Sequence, residues 1–408
     1  MTSCGTANCA CYRVNDRESS FPKALTLKTK LSAALLFALA IAAVSAAQVS
    51  STQIGAIFAP LKSTNAPGAA VLVVQNGKPV FRGGYGVSDL RTRRPIDAKT
   101  NFRLASFTKQ FTAACIMLLV RDGKLHYDDH LTDFFPEFPA YGKSITVRNL
   151  LNHTSGLEDY GELLMKQYPD TPPEKVPQIL DAGVLKLLEQ QTSGKFAPGT
   201  KWEYSNSGYA VLAMIVEKVS GKSFGQFLQE RIFKPLKMKN TLAYEKGKNE
   251  VPHRAYGHTR DKDKDAWRET DQSPTSAVLG DGGIYSSLED LTKWDRALRD
   301  HMLLSDAEMK PALTPVQPTG GPAKTEEGET LSYGFGWFLD PYPDSHKPDS
   351  HQKSHKRMSH DGGTIGFRTT IQRFPDDDLT VIVLANRTDI DPEELALKVA
   401  DLYLGTKP

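Results

Sequence analysis

Leu104-Ala105-Ser106-Phe107-Thr108-Lys109-Gln110-Phe111 is the stretch on which the reading of this chain turns. Apolar Phe107, Phe111, Ala114, Cys115, Leu118 and Leu119 recur at helical spacing, and Asp122-Gly123 closes the run. The spacing predicts a helix with Ser106 in its first turn and Lys109 on the same face. A serine hydroxyl is a weak nucleophile at neutral pH and needs a base within hydrogen-bond reach. Lysine can be that base only if burial or a neighbouring charge lowers its pKa from about 10.4. The orphan N–H groups of a helix N-terminus would favour the oxyanion formed when such a serine attacks a carbonyl.

Alone, S-x-x-K is a weak signal, and a helix-capping serine followed by a solvated lysine is the bland account of it. Two further matches occur, Ser20 to Lys23 in the N-terminal segment and Ser350 to Lys353 in a polar loop. Only Ser106 heads an amphipathic helix.

The 408 residues suffice for one large or two ordinary domains. Lys23, Lys28 and Lys30 precede the apolar run Leu31 to Ala47, which closes on Ser45-Ala46-Ala47. That order is the signature of a secretory signal, so residues 1–47 are expected to be a leader, with the mature protein starting near Gln48 in a secreted or periplasmic location. The run is short for a membrane span, and contact with a membrane is expected only if the segment stays uncleaved. Removing five Lys/Arg and two Asp/Glu with the leader takes the formal charge from +2 to −1, so the basic balance argues for no nucleic-acid partner. Cys4, Cys9 and Cys11 leave with it; Cys115, on the apolar side of the Ser106 helix, reads as a packed core thiol.

Ile54 to Leu61 predicts a short helix. Ala69 to Gln75 and Pro79 to Gly86, joined by Asn76-Gly77, predict a β-hairpin. Helical patterns dominate from about 126 to 275 (Val184 to Gln191, Ala210 to Val219, Phe224 to Phe233). Strand patterns return at Gly283 to Ser286, Leu331 to Phe338, Phe367 to Phe374 and Thr380 to Ala385. A final helix is marked by Asp391 as N-cap, Pro392, Glu394 and a closing Gly405. The expectation is an α/β fold, one hydrolase domain over residues 48–408. Its α/β lobe would take about 48–125 and 276–408, and an all-α lobe about 126–275.

Two more motifs change the weight of the first. Tyr204-Ser205-Asn206 is the only Y-x-N among fourteen tyrosines, and His360-Asp361-Gly362 the only H-x-G among ten histidines. The order S-x-x-K, Y-x-N, H-x-G resembles the penicillin-recognising serine hydrolases: class C β-lactamases, D-alanyl-D-alanine carboxypeptidases and a carboxylesterase branch. Leu150 to Leu157, Pro235 to Met238, Gly282 to Ser287 and His360 to Phe367 agree with it, and the resemblance covers Ile54 to Leu404. It implies a mainly antiparallel sheet flanked by helices with a helical domain beside it.

By the same resemblance Ser106 is the acylated nucleophile, Lys109 its partner and Tyr204 the general base. Asn206 and His360, with Gly362 of the same motif, would bind substrate. The oxyanion hole would be the backbone N–H groups of Ser106 and Gly363. No cofactor and no metal are implied, and the oligomeric state stays open. Where many β-lactamases of the superfamily carry K-T-G, this chain has His360-Asp361-Gly362, replacing a fixed positive charge by an imidazole. D-amino-acid peptides, β-lactams and acyl esters all remain candidate substrates, with a short-chain carboxylesterase or a non-catalytic peptidoglycan- or ligand-binding protein as alternatives.

Gly221-Lys222-Ser223-Phe224-Gly225 matches the nucleophile elbow of another hydrolase class, but it falls between two helical patterns, where Ser223 is expected as an N-cap. His346, His351, His355 and His360 could suggest a metal, yet the first three lie among Lys, Asp and Pro without apolar periodicity.

Overall fold

The computed structural model describes residues 49–261, 263–325, 327–343 and 354–404. The leader with its three cysteines, the other two S-x-x-K matches, His346, His351 and Gly405 lie outside them.

The frame is a five-stranded antiparallel sheet. Its strands are β1 (Ala69–Gln75), β2 (Lys78–Tyr85), β3 (Met358–Thr364), β4 (Phe367–Phe374) and β5 (Leu379–Ala385), in the order β3-β4-β5-β1-β2. Asn76 and Gly77 take φ values of 50° and 67°, the left-handed pair that a two-residue hairpin between β1 and β2 requires. β1 and β5 read as unbroken apolar runs because both of their faces are covered. Val71, Val73, Val381 and Val383 pack on the first and last helices, Ser51–Phe58 and Pro392–Leu404, through Ile54, Phe58, Ala396 and Val399. Ala70, Leu72, Ile382 and Leu384 point the other way and join the larger core, which includes helices Lys109–Arg121 and Asn206–Ser220.

Residues 131–233 contribute helices, among them Tyr160–Lys166 and Asp181–Glu189, to that same core. Two local expectations need correction. The stretch expected to be all helical contains a hairpin, His258–Asp261 with Ala266–Glu269, whose charged tip hid its alternation. Leu331 to Phe338 forms no strand: Gly336 takes φ 75° and only isolated bridges remain, Tyr333 to Phe338 and Phe338 to Ser359. Ser223 caps Phe224–Leu228 by accepting from the Gln226 N–H.

Beyond the apolar packing, one contact fixes the site. The β3–β4 pair meets the turn that carries Ser106 face-on: Thr369 Oγ1, on β4, donates to the Leu104 carbonyl at 2.7 Å. A Cβ on Gly362 would stand 2.1 Å from that same oxygen, so only glycine allows the approach.

Candidate active site

Ser106 lies on a 3-10 turn, Ala105–Thr108, that runs into the Lys109–Arg121 helix. Ala105, just before it, is held at φ 51°, a left-handed conformation that costs an alanine about 1–2 kcal/mol. Strain of this kind persists only where surrounding structure imposes it, and here it swings the serine out of the core. Ser106 is half-buried while its neighbours Ala105 and Phe107 are buried.

Lys109 is wholly buried, and its ammonium nitrogen meets three acceptors. These are Ser106 Oγ at 3.1 Å, Asn206 Oδ1 at 2.8 Å and the Asp281 carbonyl at 3.1 Å. Loss of hydration lowers its pKa to about 8, against the opposing pull of Asp281 and Asp159. The lysine therefore has a standing neutral fraction near pH 7. In that form two N–H bonds satisfy Asn206 and Asp281, and the lone pair is left facing the serine hydroxyl.

Tyr204 sits across the nucleophile. The Lys109 nitrogen lies 4.8 Å from the centre of its ring. Burial pushes the phenol well above its ordinary range, and hydrogen bonding by Ser106 offsets this only in part. A phenolate base, the role expected for Tyr204, is disfavoured there; a neutral hydroxyl that passes a proton on is not.

His153 holds Tyr204 in place. Its carbonyl accepts from the Glu203 N–H at 3.0 Å and its Nδ1 from the Ser205 N–H at 3.0 Å, so the peptides on both sides of the tyrosine are clamped. The imidazole packs against the Tyr204 ring at a tilt of 38°, with centroids 4.4 Å apart. Because Nδ1 accepts, the proton resides on Nε2; burial and the nearby Lys109 keep the ring uncharged. Ser205 in turn caps the Asn206–Ser220 helix through the Gly208 N–H, which sets Asn206 at its first position beside Lys109.

His360 differs from expectation. It is buried, its Nδ1 donates to the Asp361 carbonyl at 2.7 Å, and its Nε2 accepts from the Tyr333 hydroxyl at 3.2 Å. Burial and Lys109 lower its pKa to about 3, so it is neutral. Both nitrogens are spent within the protein, leaving the ring as a wall; its centroid is 6.2 Å from that of Tyr204.

The β3 edge explains Gly363. Ser359 exchanges both backbone hydrogen bonds with Phe338, away from β4. In a strand the direction repeats every second residue, and β3 pairs with β4 without a shift in register. The Gly363 N–H therefore also points off the free edge, on the side where Gly363 and Ser106 line one cavity of about 100 Å³. Larger cavities, of about 310 and 520 Å³, are not lined by Ser106, so volume alone would misplace the site.

Ser106, Lys109, Tyr204, Asn206, His360, Gly362 and Gly363 are thus brought to one place. Sequence reasoning passed over His153, Tyr333, Asp281 and Tyr160. His153 and the Gly282–Ser287 stretch beside Asp281 did stand in segments that carried the resemblance. Among the described residues no group of three or more His, Cys, Asp or Glu is placed to hold a metal. His355 instead contacts Asp377 at 2.6 Å.

The comparisons with known proteins bear on the whole domain. A family model described as Beta-lactamase matches residues 54–404. Penicillin-binding protein 4* of Bacillus subtilis (strain 168) is 32% identical over 362 residues, covering 86% of this chain and 75% of that protein. A D-aminopeptidase of Brucella anthropi is 29% identical over 83% of this chain, which spans 59% of that relative's length. Among solved structures, the D-amino acid amidase of Ochrobactrum anthropi SV3 superposes with a TM-score of 0.70 at 24% identity, covering 87% of this chain and 97% of that one. The octameric penicillin-binding protein homologue of Pyrococcus abyssi gives 0.69 at 24% identity, covering 87% and 76%. At such identities these two likenesses speak for the fold.

Proposed function

The chain belongs to the beta-lactamase family, and from that premise we propose that it is an exported serine hydrolase that cleaves amides of D-amino acids or D-amino-acid peptides through an acyl-enzyme on Ser106. One observation carries the chemistry: a buried lysine whose other two hydrogens are committed stands 3.1 Å from the Ser106 hydroxyl.

In acylation neutral Lys109 takes the Ser106 proton as Oγ bonds to the substrate carbonyl carbon. The negative charge moves to the carbonyl oxygen, in the space between the N–H groups of Ser106 and Gly363. The proton then passes through the Tyr204 hydroxyl to the departing nitrogen, the C–N bond breaks and the amine leaves. A water repeats the sequence on the ester, returning the proton to Ser106. Asn206 can hold the substrate amide as it holds Lys109.

The neutral His360 supports amide substrates over β-lactams, because it supplies no fixed positive charge to pair with a β-lactam carboxylate. The same neutrality supports turnover of simple acyl esters as a second activity. Export is supported by the lysine-flanked apolar run before Gln48; among the described residues no helix is long and apolar enough to cross a membrane. The direct test is labelling of the wild-type protein by a fluorophosphonate or fluorescent penicillin, followed by peptide mapping. The label is expected on Ser106 and absent from Ser106→Ala. An adduct on any other residue, or none, refutes the proposal and favours a binding protein. Hydrolysis of a D-amino-acid amide beside p-nitrophenyl acetate and nitrocefin ranks the substrates.

A further inference from the structure

The cavity of about 100 Å³ beside Ser106 is walled by polar groups, Arg103, Tyr160, Asn206 and Asp281 among them. Asp281 is only 8% exposed, yet among the described residues it forms no ion pair. Its carboxylate accepts from the Tyr160 hydroxyl at 2.7 Å. Burial raises its pKa, and Lys109, the Tyr160 hydroxyl and Arg103 offset this only in part, because the two cations act through space and make their hydrogen bonds to other atoms. Arg103 donates through Nε and Nη2 to the carbonyls of Gly282 and Ser276, and Lys109 meets the backbone carbonyl of Asp281 instead of its carboxylate. Burying a carboxylate without a direct ion-pair partner is costly, and a cleft is where a ligand can supply that partner.

We infer that Asp281, supported by Tyr160, receives the free α-ammonium group of the substrate, so that the enzyme takes residues from the amino end of a peptide or hydrolyses free amino-acid amides. The inference rests on Ser106 being the nucleophile. Distances favour an α-amino group over a remote one. Ser106 Oγ and the Asp281 backbone are joined by two hydrogen bonds through a single atom, Lys109 Nζ. In an α-amino acyl group the nitrogen lies about 2.5 Å from the carbonyl carbon, so a substrate whose carbonyl lies over Ser106 can place its ammonium in the cavity that Ser106 and Asp281 both line. The cavity admits that group. Arg103, which lines the same cavity, suggests the opposite occupant, a substrate carboxylate, because its Nη1 has no partner; but that atom is sealed from solvent, whereas Asp281 keeps 8% exposure.

The test uses the full domain from Val49 onwards with four substrates: D-alanine p-nitroanilide, L-alanine p-nitroanilide and the N-acetyl form of each. For the preferred isomer kcat/KM is expected to be at least about tenfold higher with the free amine than with the N-acetyl form, the size of one charge-assisted hydrogen bond. In Asp281→Asn that ratio should fall to within about threefold of unity, and Tyr160→Phe should give an intermediate ratio. Because the ratio is read within one preparation, a changed Lys109 basicity or a reduced folded fraction cancels out. A wild-type preference for the acetylated form, a ratio unchanged in Asp281→Asn, or no cleavage of either anilide by enzyme that acylates with p-nitrophenyl acetate overturns the inference. So does preferential release of the terminal residue from an amino-blocked D-Ala-D-Ala peptide, which would assign the cavity to a carboxylate. Fluorophosphonate labelling separates the two levels: a labelled Ser106 with no amine preference removes only the ammonium site, whereas an unlabelled Ser106 removes the nucleophile as well.

Discussion

Raising the pH from 6 to 8 should accelerate acylation about fiftyfold. With Lys109 at about 8, the fraction of enzyme carrying the neutral amine is about 1% at pH 6, about 9% at pH 7 and about 50% at pH 8. Only that fraction has a lone pair directed at Ser106. Beyond pH 8 the gain is no more than about twofold. The assay is the pre-steady-state burst of p-nitrophenol from p-nitrophenyl acetate, with its rate constant plotted against pH and spontaneous hydrolysis subtracted. Tyr204→Phe should lower the whole curve by about a hundredfold or more, as loss of a proton-transfer group does, without moving the inflection by more than about half a unit. Lys109→Met should abolish the burst. The competing scheme is a histidine relay, in which His360, held neutral with its pKa at about 3, gives a profile flat from pH 6 to 8. A flat profile, or a burst that survives Lys109→Met and disappears in His360→Ala, refutes Lys109 as the base.

Gly362→Ala should lose most acylation and about 1–3 kcal/mol of stability, because the new Cβ meets the Leu104 carbonyl at 2.1 Å and Thr369 Oγ1 at 2.3 Å and forces the face of the β3–β4 pair off the serine turn; chemical denaturation together with the burst assay checks both. At Ala105, substitution by glycine relieves the left-handed strain at a comparable cost in unfolded-chain entropy, so Ala105→Gly should stay within about 1 kcal/mol of wild type while Ala105→Val is clearly destabilising in thermal melts. Ser223→Ala should cost about 1 kcal/mol through its lost N-cap and leave fluorophosphonate labelling untouched, whereas loss of labelling would revive the elbow motif.

Much of this arrangement was legible because it is local. Ser106 and Lys109 are three residues apart, Tyr204 and Asn206 two, and Asn76-Gly77 needs no partner to specify its turn. What escaped the sequence depends on segments distant along the chain. Tyr333 reaches His360 across 27 positions and takes the nitrogen that would have faced substrate. His153 acts on Tyr204 from 52 positions before its Ser205 contact, and Asp281 meets Tyr160 across 121. The hairpin at 258–269 was missed for a different reason: it carries few apolar residues, and alternation cannot be read where nothing marks the buried face.

The assignment of the base shows why proximity to a cation was insufficient. From the sequence two states stood open: a neutral Lys109 as the base, or a Tyr204 phenolate steadied by cationic Lys109. Burial acts on both groups at once and penalises whichever form is charged. For a phenol that form is the deprotonated one, so Tyr204 moves up; for an amine it is the protonated one, so Lys109 moves down. A single dry pocket therefore draws the pair towards neutral phenol and neutral amine, the first of those two states. The backbone carbonyl of Asp281 and the amide of Asn206 then decide which way the amine faces, since they accept its two hydrogens and leave the lone pair to Ser106. Had those acceptors been carboxylates, the ammonium would have been held and the serine left without a base.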